Sequence, residues 1–199
     1  MMPSRIAMYG RLEEQSGRMA ARRDGRRVIA ELCEALGFTA PPVELLAPDQ
    51  LPWEFHVLLV HSAGMTSTLE RHWRESVRVE LLSDDLSVEQ RSLFRFVVLR
   101  TQSSAQLLEI AFIRIPLENF ALALRPRFIE AKQPFGTLLA EAGIRFQAFP
   151  QAYFTCQTDA RLADKCGLSE GTRLYGRVSR LLRNDGVLLC ETVEALPEA

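Results

Sequence analysis

Arg95 stands inside the run Phe94-Arg95-Phe96-Val97-Val98. A guanidinium at such a position either reaches solvent or grips a buried anion, since its planar fork meets a carboxylate bidentately and stays charged when desolvated. Two carboxylates occupy a comparable place near the other end of the chain. Glu191 interrupts the apolar stretch Val187 to Val193, and Glu194 follows it. Each either sits at a solvated strand edge or lies buried, where it needs a partner or a proton. A buried carboxyl with a lifted pKa can carry a proton in a reaction. Anion capture and proton management are therefore the chemistry these residues offer. The four cysteines (Cys33, Cys156, Cys166, Cys190) form no C-x-x-C, and His56, His61 and His72 form no H-E-x-x-H array. The cysteines read as thiols in a reducing compartment, and no zinc site is expected of them.

The elements that must position these residues follow from local pattern. Asn184-Asp185-Gly186 between two apolar runs predicts a β-hairpin over 172–197. A second hairpin is predicted over 92–115, turning at Thr101–Gln106. Its Arg100 and Arg114 read as surface charges at strand ends. Val77, Val79 and Leu81 alternate with Arg78 and Glu80, as in a half-buried strand. Met65 and Leu69, four apart, suit one face of a short helix, where a methionine serves either the core or a ligand. A helix is expected from Phe120 to Ile129, bent or split by Pro126. A strand is expected from Arg145 to Cys156, made an edge or a bulge by Pro150. Asp159 should cap a short helix ending at Gly167. Strands in hairpins with short helices between them predict an α+β fold, an antiparallel sheet with helices packed on it.

Bulk properties narrow the function. With 199 residues the chain is one domain, or one domain and an appendage, and 47% hydrophobic residues suffice for a core. A net charge of −1 speaks against a general nucleic-acid binder. No apolar run approaches the ~20 residues of a membrane span, and no apolar signal core opens the chain, so a cytoplasmic protein is expected. Residues 1–27 carry seven arginines, read as a solvated extension rather than a nucleic-acid arm, and residues 1–26 are expected to be dispensable for folding. Arg27 to Leu36 has a helical pattern ending at Gly37, and Pro41 to Pro52 reads as a linker. The expected division is therefore 1–50, a partly flexible extension with one helix, and 51–199, the folded domain.

The hairpin also carries a resemblance. Tyr175-Gly176-Arg177, Ser179-Arg180-Leu181, a Gly turn, an apolar strand with Glu and a closing Leu-Pro resemble the chorismate pyruvate-lyase family. The effector-binding domains of GntR-type regulators share that fold. Three further features follow the family's order: Met65-Thr66 with a Glu four residues later at Glu70 ahead of an extended run, Arg95 before an apolar run, and Pro134-Phe135-Gly136 opening a short helix where the family has Pro-Leu-Gly. The resemblance covers roughly 55–197. It implies a chorismate lyase-like fold and cofactor-free cleavage of chorismate to a hydroxybenzoate, most simply 4-hydroxybenzoate, and pyruvate. It further implies that Arg95 holds a ligand carboxylate, that Met65, Phe135 and Arg177 contact the ligand, and that Glu194 or Glu191 manages the proton. Glu194 comes first of the two, because Glu191 would require a shortened strand. The alternative is a non-catalytic domain of the same fold that senses a small aromatic or carboxylated metabolite, and a third reading is an accessory protein with a dead pocket. The expected partner is in each ligand-binding case a small-molecule carboxylate.

Overall fold

The computed structural model describes residues 25–82, 88–89 and 92–198. Residues 25–35 form helix α1. There follow β1 (Glu44–Leu46), α2 (Trp53–Leu59), α3 (Met65–Trp73), β2 (Val77–Leu81), β3 (Val88–Glu89), β4 (Ser92–Thr101) and β5 (Leu107–Pro116). The second half runs α4 (Arg125–Glu130), α5 (Phe135–Glu141), β6 (Phe146–Gln157), α6 (Ala160–Cys166), β7 (Arg173–Arg183) and β8 (Leu188–Pro197). The eight strands make one sheet in the order β1-β6-β7-β8-β5-β4-β2, with β3 beside β4. All its pairings are antiparallel.

Both faces of the central strands are covered, which explains why β8 reads as nearly continuous apolar sequence. Phe96, Phe112, Phe154 and Val193 project to one face, against Ile29 and Leu32 of α1 and Leu162 and Cys166 of α6. Residues one step along each strand project to the other face. There Val97, Ala111 and Leu181 meet Leu138 and Leu139 of α5, while Leu99 meets Leu59 of α2 and Leu69 of α3. The sheet is thus the middle layer, and the second face carries the candidate site.

Turn chemistry sets the ends of these elements. The β7–β8 hairpin closes with Arg183 donating to the Val187 carbonyl at 2.9 Å and with Gly186 at φ +84°, a conformation suited to glycine. The side chain of Asp159 accepts from the Leu162 amide at 2.7 Å and starts α6. Pro150 coincides with a register shift on β6, whose ladder to β7 resumes at Ala152. That is the expected bulge.

Three expectations need correction. Residues 25–50 are not an appendage, because Val28, Ile29, Leu32 and Cys33 are buried against the sheet and β1 pairs with β6. The division at residue 50 therefore does not correspond to a gap in packing; residues 1–24 lie outside the described residues. The expected linker 41–52 includes β1 and a 3-10 turn, Pro48–Gln50. In place of one helix from Phe120 to Ile129, a 3-10 turn (Leu117–Asn119) precedes α4, which begins only at Arg125 with Pro126 in its first turn. Proline is tolerated there, having no amide hydrogen to lose, and cannot serve inside a longer helix.

Gly176 fixes how closely β7 and Phe154 approach. A Cβ at this position would stand 2.4 Å from Phe154 Cζ and 2.6 Å from the Glu194 carbonyl oxygen. Backbone cannot yield as a flexible side-chain tip can, so Gly176→Ala is expected to lower stability by about 1–3 kcal/mol. Urea denaturation measures this, and an unchanged midpoint would show that the sheet relaxes around the methyl group.

Candidate functional site

The polar residues of the second face fall in successive transverse rows, because directly paired residues of neighbouring strands share a face. Arg95 pairs with Ile113, Ile113 with Thr192, and Thr192 with Ser179. Two residues along, Val97 pairs with Ala111, Ala111 with Glu194, and Glu194 with Arg177. Two further along, Leu99 pairs with Glu109. The rows of Arg95 and Glu109 are therefore ~13 Å apart at about 3.4 Å per residue, with Glu194 between them. Arg95, Glu109, Thr192 and Glu194 line one cavity of about 50 Å³. Its helical wall includes Met65 and Thr66 from the first turn of α3, and Phe135 and Gly136 from α5.

Arg95 is fully buried. Its Nη1 donates to the Phe128 carbonyl at 2.8 Å, while Nε and Nη2 have no partner. Burial brings its pKa down to about 10, so the guanidinium remains charged at neutral pH. In the same row the buried hydroxyls of Thr192 and Ser179 also lack partners. Unsatisfied donors on a buried cation are costly unless something accepts from them. Of these residues, Arg95 and Thr192 line the cavity.

Arg177 is equally buried but fully engaged. Nε donates to Glu194 Oε2 at 2.6 Å. Nη1 donates to the carbonyls of Leu59 at 3.0 Å and His61 at 3.2 Å, and Nη2 reaches the Ala63 carbonyl at 3.5 Å. The guanidinium thus ties the segment after α2, and through it the start of α3, to the sheet. The His61 ring lies beside it, with Nδ1 at 3.3 Å from Nη1 and Nε2 at 2.8 Å from the Leu58 carbonyl. Burial and then the Arg177 charge push the His61 pKa down, favouring the neutral ring.

Glu109 was not singled out by sequence, although it interrupts the apolar run Leu107 to Ile115 much as Glu191 interrupts its own. It is 2% exposed and its Oε2 has no partner. Burial first, and the nearby Glu194 charge second, raise its pKa well above the ordinary carboxylate value, against a smaller opposing effect of Arg177. Its proton should be visible in stability. A carboxyl whose folded pKa is raised supports the fold fully below its unfolded value, near 4.5, and that contribution is lost as pH rises towards the folded pKa. Glu109→Gln, which needs no proton, is therefore expected to be more stable than the parent at neutral pH, the difference closing as pH falls through the unfolded value. Thermal melts across pH would show a pH-independent difference if Glu109 were ionised in the fold.

Of the residues expected from sequence, Arg95, Glu194, Met65 and Phe135 meet at the cavity, and Arg177 lies behind Glu194. Glu191 does not join them. It projects to the opposite face, where it pairs with Arg114 and stands 3.7 Å from Arg180. Arg114 in turn lies 3.7 Å from Glu31 of α1, so it is a linking charge rather than an idle one. Arg100 likewise joins Glu80 at 3.0 Å and the Cys166 carbonyl at 2.9 Å. Among the described residues no cluster of His, Cys, Asp and Glu could hold a metal ion, and no helix is long and apolar enough to cross a membrane.

Solved structures share this architecture. PhnF from Mycobacterium smegmatis superposes with a TM-score of 0.55 at 16% identity, over 69% of this chain and 65% of that one. The separate effector domain of PhnF gives 0.52 at 17% identity, over 69% of this chain and 91% of the domain. The chain has the chorismate lyase-like fold of that effector domain. A GntR-family transcriptional regulator from Bacillus cereus aligns over 60% of this chain and 90% of its own, at 9% identity and a TM-score of 0.41. No protein-family model matches the sequence, and no curated protein is significantly similar to it.

Proposed function

We propose that this chain is a ligand-binding domain that takes a small carboxylated metabolite, with Arg95 as its anion anchor. The observation that carries this reading is a fully buried guanidinium with two unpartnered nitrogens beside a cavity. The likeness to a regulator's effector domain supports sensing over turnover. The site needs neither metal nor organic cofactor for this task. At about 50 Å³ the cavity is smaller than the ~150 Å³ that admits benzene. A short-chain acid enters with little rearrangement, and an aromatic acid enters when α3 and α5 draw back from the sheet. That movement would be the ligand-dependent signal.

A second reading, chorismate pyruvate-lyase, is favoured by one observation: Glu109 and Glu194 place a protonated and a paired carboxyl beside the same cavity. In that reading Arg95 holds a substrate carboxylate and one of the two carboxyls supplies the proton. The arrangement suits it less, because Glu194 is already committed to Arg177.

Calorimetric titration with butyrate and 4-hydroxybenzoate tests the binding reading, and chromatography after incubation with chorismate tests the lyase. Binding of either acid that is lost in Arg95→Ala and only partly restored in Arg95→Lys is expected, since a point charge cannot reproduce the fork. If neither acid binds, or if Arg95→Ala binds as the parent does, the reading fails. Release of a hydroxybenzoate from chorismate would decide for the enzyme.

A further inference from the structure

Glu109 has no part in the anchoring just described, yet it is a buried carboxyl with a free oxygen in the same cavity as Arg95. We propose, resting on the binding reading above, that Glu109 is the second anchor of the ligand and sets its class. The ligand is a singly charged acid whose anionic group meets Arg95 and whose other end carries an uncharged hydrogen-bonding group, such as an amide, that meets Glu109.

The charges facing the cavity support this. Arg95 offers one positive charge that no carboxylate among the described residues neutralises. The other buried guanidinium, Arg177, is balanced by Glu194 at 2.6 Å. Around Glu109 the charged groups are Glu194 on β8 and Arg177 on β7, with the neutral His61 ring against Arg177; the helix residues opposite, Met65 and Thr66, carry no charge. The cavity therefore has room for one negative charge, at the Arg95 end. A second anion at the Glu109 end would stand near Glu194 in a water-poor site, where like charges are disfavoured. A neutral carboxyl suits a neutral polar group instead, because it both donates and accepts a hydrogen bond. The placement is compatible with this, since the two rows stand ~13 Å apart and both side chains line the one cavity.

Three acids of similar length separate the possibilities: butyrate lacks a polar far end, succinamate has a neutral amide there, and succinate has a second carboxylate. Calorimetry on the parent protein at neutral pH is expected to rank succinamate about tenfold above butyrate, as one hydrogen bond allows, and succinate below both. Acidification should improve succinate, which then enters as the monoanion, and leave succinamate unimproved. In Glu109→Leu the succinamate-to-butyrate ratio should collapse towards one; Glu109→Gln, which keeps a donor and an acceptor, should restore it. Succinate binding as tightly as succinamate at neutral pH, or a ratio unchanged in Glu109→Leu, would overturn the proposal while Arg95-dependent butyrate binding left the binding reading standing. Loss of Arg95 dependence for all three acids would instead remove that reading and the inference with it. If the Glu109 variants do not fold, the ranking on the parent protein still decides.

Discussion

Replacing Arg177 by methionine is expected to cost about 3–5 kcal/mol of folding stability, the usual consequence of removing one partner of a buried ion pair. Arg177 is wholly buried and Glu194 nearly so. Methionine fills much the same volume, so little of the loss would come from a void. What remains is a carboxylate without its counterion, beside Glu109, and three carbonyls, of Leu59, His61 and Ala63, without their donor. Those carbonyls belong to the segment that leads from α2 into α3, so the cavity wall should loosen together with the fold. Denaturant unfolding measures the loss. Adding Glu194→Leu to the Arg177→Met chain should recover part of it, because the stranded charge is then gone, and such recovery is the mark of a coupled pair. A single substitution with no measurable effect would mean that water reaches Glu194 and solvates it.

The contrast between the two buried arginines also shows what sequence can and cannot specify. Arg95 was visible as a polar residue inside an apolar run, whereas Arg177 alternates with Gly176 and Val178 and stood out only through the resemblance. Only the register of β7 against β8, which sets Arg177 opposite Glu194, and the return of α2 onto the sheet make one of them satisfied. Glu191 and Glu194 illustrate the same limit. Both interrupt apolar sequence, but an odd separation along a strand sends them to opposite faces, one to Arg114 and the other to the cavity. Glu109 carried the same local signal as Glu191 and gained its meaning only from its burial in the cavity, with Glu194 nearby. The hairpins 92–115 and 172–197 were legible because their turn residues and apolar runs are local. Strand β1 was not, since three residues in a proline-bounded stretch say nothing of a partner such as Thr155, on β6.

Arg95→Met is expected to do the reverse of Arg177→Met: leave the melting temperature unchanged or raise it, while costing roughly 2–5 kcal/mol of carboxylate binding. In the free protein Arg95 contributes one hydrogen bond, to the Phe128 carbonyl, worth about 1 kcal/mol net. Against it stand the desolvation of a full charge and two unsatisfied nitrogens, a penalty of several kcal/mol in a protein interior. Methionine removes that penalty and packs against Phe128 and Phe135, which already form an aromatic cluster with Phe120. That combined outcome, a weaker fold with Arg95 and tighter binding, is what a site kept for binding would give. Thermal melts and titration with butyrate, on the same two proteins, measure both halves. If Arg95→Met unfolds as readily as Arg177→Met, the guanidinium is a structural element with a partner, and the anion site must be sought elsewhere on the sheet.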